Sequence, residues 1–232
     1  MSREQPVIAI DGPVSSGKST AARALARALG FVYLSTGAMY RAVAIKARAA
    51  GIDPDSPDLA ARLGTMLDST RIEFSGERIM LDGRDVSREI GEPAIGDLAS
   101  QLSTLGVVRA RMRDLQRALG ERGGVVMEGR DIGTAVFPDA EFKFFLDADV
   151  NVRARRRYAE LAAKGVKTTF GEVLEQLRER DIRDQGRALA PLRRADDAVL
   201  VDSTDLDADQ VVDAMKKRIL AASNARKGLK RG

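Results

Sequence analysis

At 232 residues the chain is long enough to bury a sizeable core as one domain, and its 44% hydrophobic fraction is ordinary for a soluble globular protein. Cysteine and histidine are both absent, which excludes disulfides, Cys/His zinc sites, thiol nucleophiles, Ser-His-Asp triads and imidazole proton shuttles. The net charge of +4 equals the four cations Arg226, Lys227, Lys230 and Arg231 in the final "RKGLKRG", so residues 1–225 are formally neutral and the basic tail 226–232 reads as a solvated terminus before an RNA or membrane contact.

"MSREQP" leads directly into a strand-like run without a signal-peptide pattern. No apolar stretch approaches the roughly 20 residues that span a bilayer. A cytoplasmic chain with no membrane partner is expected. With 4% aromatics and no Trp, stacking platforms for bases are scarce, and no specific nucleic acid is expected as a partner.

Val7–Ile10 predicts a short buried strand. "GPVSSGKS", Gly12 to Ser19, follows it and matches G-x-x-x-x-G-K-[ST]. Such a loop is almost free of side-chain bulk, so its backbone N–H groups can ring a polyphosphate. Lys18 reaches the β/γ oxygens, and the Ser19 hydroxyl suits Mg²⁺. Gly12, Pro13, Val14, Ser15, Ser16, Gly17, Lys18, Ser19 and Thr20 are the expected ATP contacts. The Ala/Leu-rich helix that follows adds its positive N-terminal end and stops at Gly30.

"FVYLS" predicts a second strand, "TGAMYRAVAIKARAAG" a helix stopped by Gly51, and "SPDLAARLGTMLDS" a helix starting at Ser56. From about residue 70, alternating apolar positions split by Ser-Gly and Asp-Gly predict small antiparallel strands. Helical patterning resumes near Ile95 and runs to Leu119 with a break at Gly106. "GGVVMEGRD" and "AEFKFFLDAD" predict buried strands with carboxylates at their ends. Glu128 and Asp147 there suit structural caps or ion pairs as well as a site. Strands alternating with helices imply a parallel sheet with helices on both faces, carrying an antiparallel insertion.

A phosphate loop does not name a reaction. The Asn-Lys-x-Asp segment of a GTPase is missing, whereas arginines suited to a second anion are many. Arg180, Arg183, Asp184 and Arg187 fall on one stripe at about 100° per residue. They can hold phosphoryl oxygens with Asp184 left for sugar hydroxyls, or form a solvated face laced by Arg180–Asp184 and Glu179–Arg183 pairs. Arg130 and Asp131 follow their strand directly, where open α/β sheets bind ligands. "VRARRRYAELAAKG" is a charged helix, read either as a solvated face or as a flap over the phosphates.

Together "IDGPVSSGKST", "STGAMYRAVA", "ASQLSTLGVVRARMRDLQR", "MEGRDIGTAVFPDAEFKFFLDA" and "RERDIRDQGRALAPLRRADDAVLVDS" resemble the bacterial cytidylate kinases over nearly the whole chain. The resemblance implies an α/β P-loop nucleoside monophosphate kinase fold: a parallel-sheet core, a monophosphate-binding insertion at about 36–105 and a helical lid at about 153–168, all within one domain 1–225. It implies transfer of the γ-phosphoryl group of ATP to CMP or dCMP with Mg²⁺, by a monomer. Arg41, Arg130 and Arg187 would hold the acceptor phosphate. Ser100, Arg109 and Asp131 would read cytosine, Arg180 and Asp184 the ribose, and Thr36 lies at the hydroxyl position near the acceptor. Lys18, Arg130, Arg183 and Arg187 would neutralise the transferring group. Ser15 stands where many members have glycine, so a positive φ there would be strained. A kinase for UMP or shikimate, and an RNA-associated binding protein of the P-loop class, are the alternatives.

Overall fold

The apolar run closed by an acid forms strand β1 (Val7–Asp11), buried at every residue. The computed structural model describes residues 3–229, with side chains through Ala222. Strands β6 (Val125–Gly129) and β7 (Phe142–Asp147) flank β1, and both pair with it in parallel. Strand β8 (Val199–Asp202) continues the ladder from β7, and β2 (Val32–Ser35) completes the order β2-β6-β1-β7-β8. The chain order reverses beside β1, and sheets of this kind bind ligands outside the carboxyl ends of the strands at that point.

The chain falls into two compact units, Tyr33–Arg122 and Ser2–Val32 with Gly123–Gly232. The second holds helix α1 (Lys18–Leu29), whose Ala21, Ala22, Leu25 and Ala26 are buried and whose C-cap Gly30 takes the left-handed conformation at φ 68°. It also holds α6 (Val150–Ala163), α7 (Phe170–Gln185) and α8 (Ala208–Leu229). Asp149 caps α6, and Thr169 with Glu172 makes a reciprocal capping box on α7. The side chains of the basic tail lie outside the described residues.

The Tyr33–Arg122 unit contains α2 (Thr36–Ala49), α3 (Leu59–Asp68), α4 (Pro93–Leu102) and α5 (Gly106–Gly120). They share a core that includes Met39, Val43, Leu63, Ile95 and Met112. The expected hairpins form a three-stranded antiparallel sheet, β3 (Ile72–Ser75), β4 (Arg78–Leu81) and β5 (Arg84–Asp85). The expected insertion at 36–105 lies wholly within this unit.

Three expectations shift. Helix α3 begins at Leu59, after a Ser56 hydroxyl bond to Asp58, instead of at Ser56. Gly106 starts α5 instead of breaking a helix; the break is Ser103–Leu105. Helix α7 ends at Gln185, so Arg187 lies beyond it and not on its stripe.

Candidate active site

The loop Gly12–Gly17 joins β1 to α1. Gly12 takes φ +150°, and a Cβ there would meet the Leu146 carbonyl oxygen at 2.0 Å, so no side chain fits. Ser15 does take a positive φ, 61°, the strained conformation expected for it. Three of the loop's carbonyls are held by donors. Pro13 O accepts from Lys18 Nζ, Val14 O from Arg153 Nη1 at 3.4 Å and Ser16 O from the Ser203 hydroxyl at 2.9 Å. Across a trans peptide the C=O and the following N–H point in opposite directions. Each held carbonyl therefore turns the following amide, that of Val14, Ser15 or Gly17, away from the carbonyl's partner and leaves it as a donor for a ligand. No side chain caps the start of α1, which leaves its first N–H groups available to an anion.

The loop rests on the helices that follow β7. Val14 packs against Ala154, Leu161, Val173 and Leu177. Arg153 is buried; its Nε donates to Ala148 O at 3.0 Å and its Nη2 to Asp181 at 2.7 Å. Arg156 donates to both the carbonyl and the hydroxyl of Ser203, the latter at 3.1 Å. Two arginines of the expected lid are thus fastened beside the loop, and neither is part of a solvated face. Arg157 pairs with Glu160 on α6 itself.

Three titratable groups sit around the loop, Asp11 and Glu128 at strand ends and Lys18 at the start of α1. Burial, with Arg130 adding to it, lowers the Lys18 ammonium to about 7, against the pull of Glu128, Asp11 and Asp184. Burial likewise raises Asp11 to about 7, although the amides of Gly133 and Ile132 donate to it. Glu128 is buried and accepts from the Ser19 hydroxyl at 3.1 Å. That bond takes the Ser19 proton and leaves the oxygen's lone pairs for another partner. No cluster of three His, Cys, Asp or Glu that could hold a metal occurs among the described residues.

On the same unit Asp184 joins two of the expected arginines. One carboxylate oxygen accepts from Arg130 Nε at 2.9 Å and the other from Arg187 Nη2. Burial works against this carboxylate, but the charges of Arg130 and Arg187 outweigh it and hold its pKa below the usual range. The helical stripe was the wrong reason for this cluster, because Arg187 returns to Asp184 from the loop after α7. Arg180 is half-buried and adds its charge to Asp184, while Arg183 is exposed. Asp131 is buried, and its carbonyl accepts from Ala135 and Val136 to open the π turn Ile132–Val136. Asp11 went unassigned in the sequence. Its one visible signal was an acid where a buried strand meets the loop.

On the Tyr33–Arg122 unit, Thr36 is buried at the start of α2, which the Ser35 hydroxyl caps. The Arg41 guanidinium lies beside α4 at Gly96, where an added Cβ would sit 3.6 Å from Nη2. Ser100 is one turn further along α4, on the same face and buried. The Ser103 hydroxyl donates to Ser100 O at 2.8 Å, and Arg109 Nη1 donates to Ser103 O at 3.2 Å. Arg41, Ser100 and Arg109 are therefore gathered around α4 and its C-terminal turn.

The comparisons bear on this arrangement. A model of the cytidylate kinase family matches residues 8–221. The cytidylate kinase of Geobacter sp. (strain M21) is 47% identical over 215 residues, 92% of each chain. That of Vibrio cholerae is 44% identical over 217 residues, 92% of this chain and 95% of its own. Among solved structures, an uncharacterized protein from Eubacterium ventriosum superposes with a TM-score of 0.51 at 15% identity, covering 93% of this chain and 98% of that one, a likeness of fold alone. With the family model spanning both units and these relatives matching over nearly their full length, the chain belongs to the cytidylate kinase family.

Proposed function

We propose that this kinase transfers the γ-phosphoryl group of ATP to CMP or dCMP, giving ADP and CDP or dCDP. Family membership supports the acceptor class. The observation that carries the donor half is the loop whose Pro13, Val14 and Ser16 carbonyls are all held by side chains, leaving its amides to a polyphosphate. The ATP contacts are then residues 12–20. The proposed CMP contacts are Thr36, Arg41, Ser100, Arg109, Arg130, Asp131, Arg180, Asp184 and Arg187.

Transfer between two phosphates needs no general base, because the attacking acceptor oxygen is already anionic. That suits a chain without histidine. The protein's task is alignment and neutralisation of the transferring group. Lys18 bonds to its own loop through Pro13 O; an incoming phosphate offers a stronger, charged acceptor and restores the full ammonium charge. Arg130 and Arg187 are held apart from one another's charge by the Asp184 carboxylate between them, which spaces two guanidiniums for phosphoryl oxygens. Arg183 is the arginine of the set that would have to swing in from solvent. With Arg153 and Arg156 fastened beside the loop, any closure that excludes water from ATP would fall to the later part of the 153–168 segment.

Mg²⁺ fits the donor set: Ser19 presents hydroxyl lone pairs, Glu128 a buried carboxylate that orients them, and the few protein oxygens match a cation that arrives largely held by phosphates. When bound, it supplies neutralising charge across the phosphate oxygens.

A coupled assay of ADP release across CMP, dCMP, UMP, AMP and shikimate tests the reading. ATP consumption dependent on CMP or dCMP is the expected outcome. Turnover on shikimate or UMP alone would replace the acceptor. Absence of turnover, with RNA binding lost on removal of residues 226–232, would replace the enzyme with a binding protein.

A further inference from the structure

Asp11 is buried at the end of β1, and none of the steps above uses it. Its two carboxylate oxygens are occupied by successive amides: Oδ1 accepts from Ile132 N–H at 2.8 Å and Oδ2 from Gly133 N–H at 2.7 Å. Those amides open the π turn directly after Arg130 and Asp131. Strand register sets Asp11 opposite Gly129. The two-residue span Arg130–Asp131 is thus tied on one side by the ladder and on the other by the carboxylate. The contact is close. A Cβ on Gly133 would lie 3.4 Å from Asp11 Oδ2 and 3.2 Å from Lys143 Cδ, so a side chain there touches the carboxylate and requires the turn or the Lys143 chain to give by a few tenths of an ångström.

A carboxylate buried at the centre of a sheet is costly, and an apolar residue would end the strand more cheaply. Two hydrogen bonds from one side chain to consecutive amides fix the direction of a backbone segment, which apolar packing does not. We propose that Asp11 is a positioning residue for the acceptor nucleotide, its carboxylate holding the turn that aims Arg130 and Asp131. The inference rests on the assignment of those two residues to the CMP site. It also ties the first residue of the donor loop, Gly12, to the acceptor side through one side chain. The charged groups facing Asp11 are Asp131 and Lys18.

The test uses the full chain and two variants. Asp11→Asn keeps the shape but sets an NH₂ group against one amide. Gly133→Ala crowds the same turn between Lys143 and the carboxylate and carries the test if Asp11→Asn fails to fold. Backbone hydrogen exchange over residues 128–137, measured without ligand, reads the clamp itself. Equilibrium titrations with CMP and with ATP read its consequence. Asp11→Asn should speed exchange at Ile132 and Gly133 by about tenfold or more. It should weaken CMP by about tenfold while ATP changes by less than about threefold. Gly133→Ala should act in the same direction, and the double variant should lose less than the product of the two. Unchanged exchange would overturn the clamp. Faster exchange with CMP affinity intact, or with CMP and ATP weakened alike, would overturn the positioning role. A wild type that binds no CMP would overturn the acceptor assignment and with it the role of Asp11, with the exchange result then showing only whether the amides are held.

Discussion

Lys18 is nearly without exposure to solvent at 4%, and its ammonium meets a carbonyl and a hydroxyl within its own loop. Burial lowers it to about 7 from 10.5. Between those values the unfolded chain holds more protons on this group than the folded one, so stability rises with pH across that window. The cost is full below about 7 and relieved towards 10.5. Asp11 runs the other way: raised from 3.8 to about 7, it makes stability fall as pH climbs between those values. Both penalties are therefore present together near neutrality, where phosphate binding to Lys18 would relieve one of them. Lys18→Met, similar in volume and uncharged, should raise the stability of the ligand-free chain at pH 7 by about 1–2 kcal/mol, roughly 3–6 °C in Tm. It should cut kcat by about 100-fold or more, as loss of one preorganised donor does. Thermal unfolding at pH 7 and at about pH 9.5 checks the sign, because the gain should shrink at the higher pH. A variant less stable than wild type at pH 7 would contradict the buried-charge account.

At the scale of elements, α6 and α7 support the loop through the Arg153–Asp181 pair. One Asp181 oxygen is bonded at 2.7 Å and the other is buried without a hydrogen-bond partner. Arg153→Ala leaves that carboxylate uncompensated and releases Val14 O. It should lower stability by about 3 kcal/mol, read by urea unfolding. Arg153→Met combined with Asp181→Leu should recover much of that loss, since apolar replacement of both partners removes the stranded charge. If the double variant is no better than the single, the pair contributes through geometry and not charge. The strained Ser15 gives a smaller test: Ser15→Gly should raise stability by about 0.5–1 kcal/mol without loss of turnover. The sequence made the strand–loop–helix unit legible because its signals are local: an apolar run, small loop residues, and Gly30 where a helix must end. It misplaced the end of α7, since "RERDIRDQGR" keeps helical periodicity past Gly186 while the chain bends back to bring Leu192 N–H to Asp184 O. It was silent on Asp11, whose partners lie 121 and 122 residues away. Likewise a guanidinium beneath Val14 leaves no periodic trace. Candidate site residues were readable through a family pattern; which carboxylate joins which arginines was not.

For the molecule as a whole, the proposed acceptor implies selection of one base over another. Cytosine differs from uracil in its exocyclic amine and its unprotonated N3, so a selective site needs an acceptor for the amine and a donor for N3 or O2. Asp131 and Ser100 can accept, and Arg109 can donate. Asp131 and Ser100 are buried, and uracil would leave such groups without their partners, which rejects a ligand more strongly than a missing apolar contact does. CMP and dCMP should therefore exceed UMP in kcat/KM by about 100-fold or more in the wild type. Arg109→Ala should narrow that ratio by about tenfold while leaving the KM for ATP unchanged. Asp131→Ala should narrow it further, because it removes the carboxylate that would accept from the cytosine amine while leaving the backbone carbonyl that opens the turn. Steady-state kinetics with CMP and UMP on the three proteins decide the matter. Equal efficiency of wild type on the two acceptors would remove Ser100, Arg109 and Asp131 from base reading, and would leave Arg41, Arg130 and Arg187 as binders of any nucleoside monophosphate.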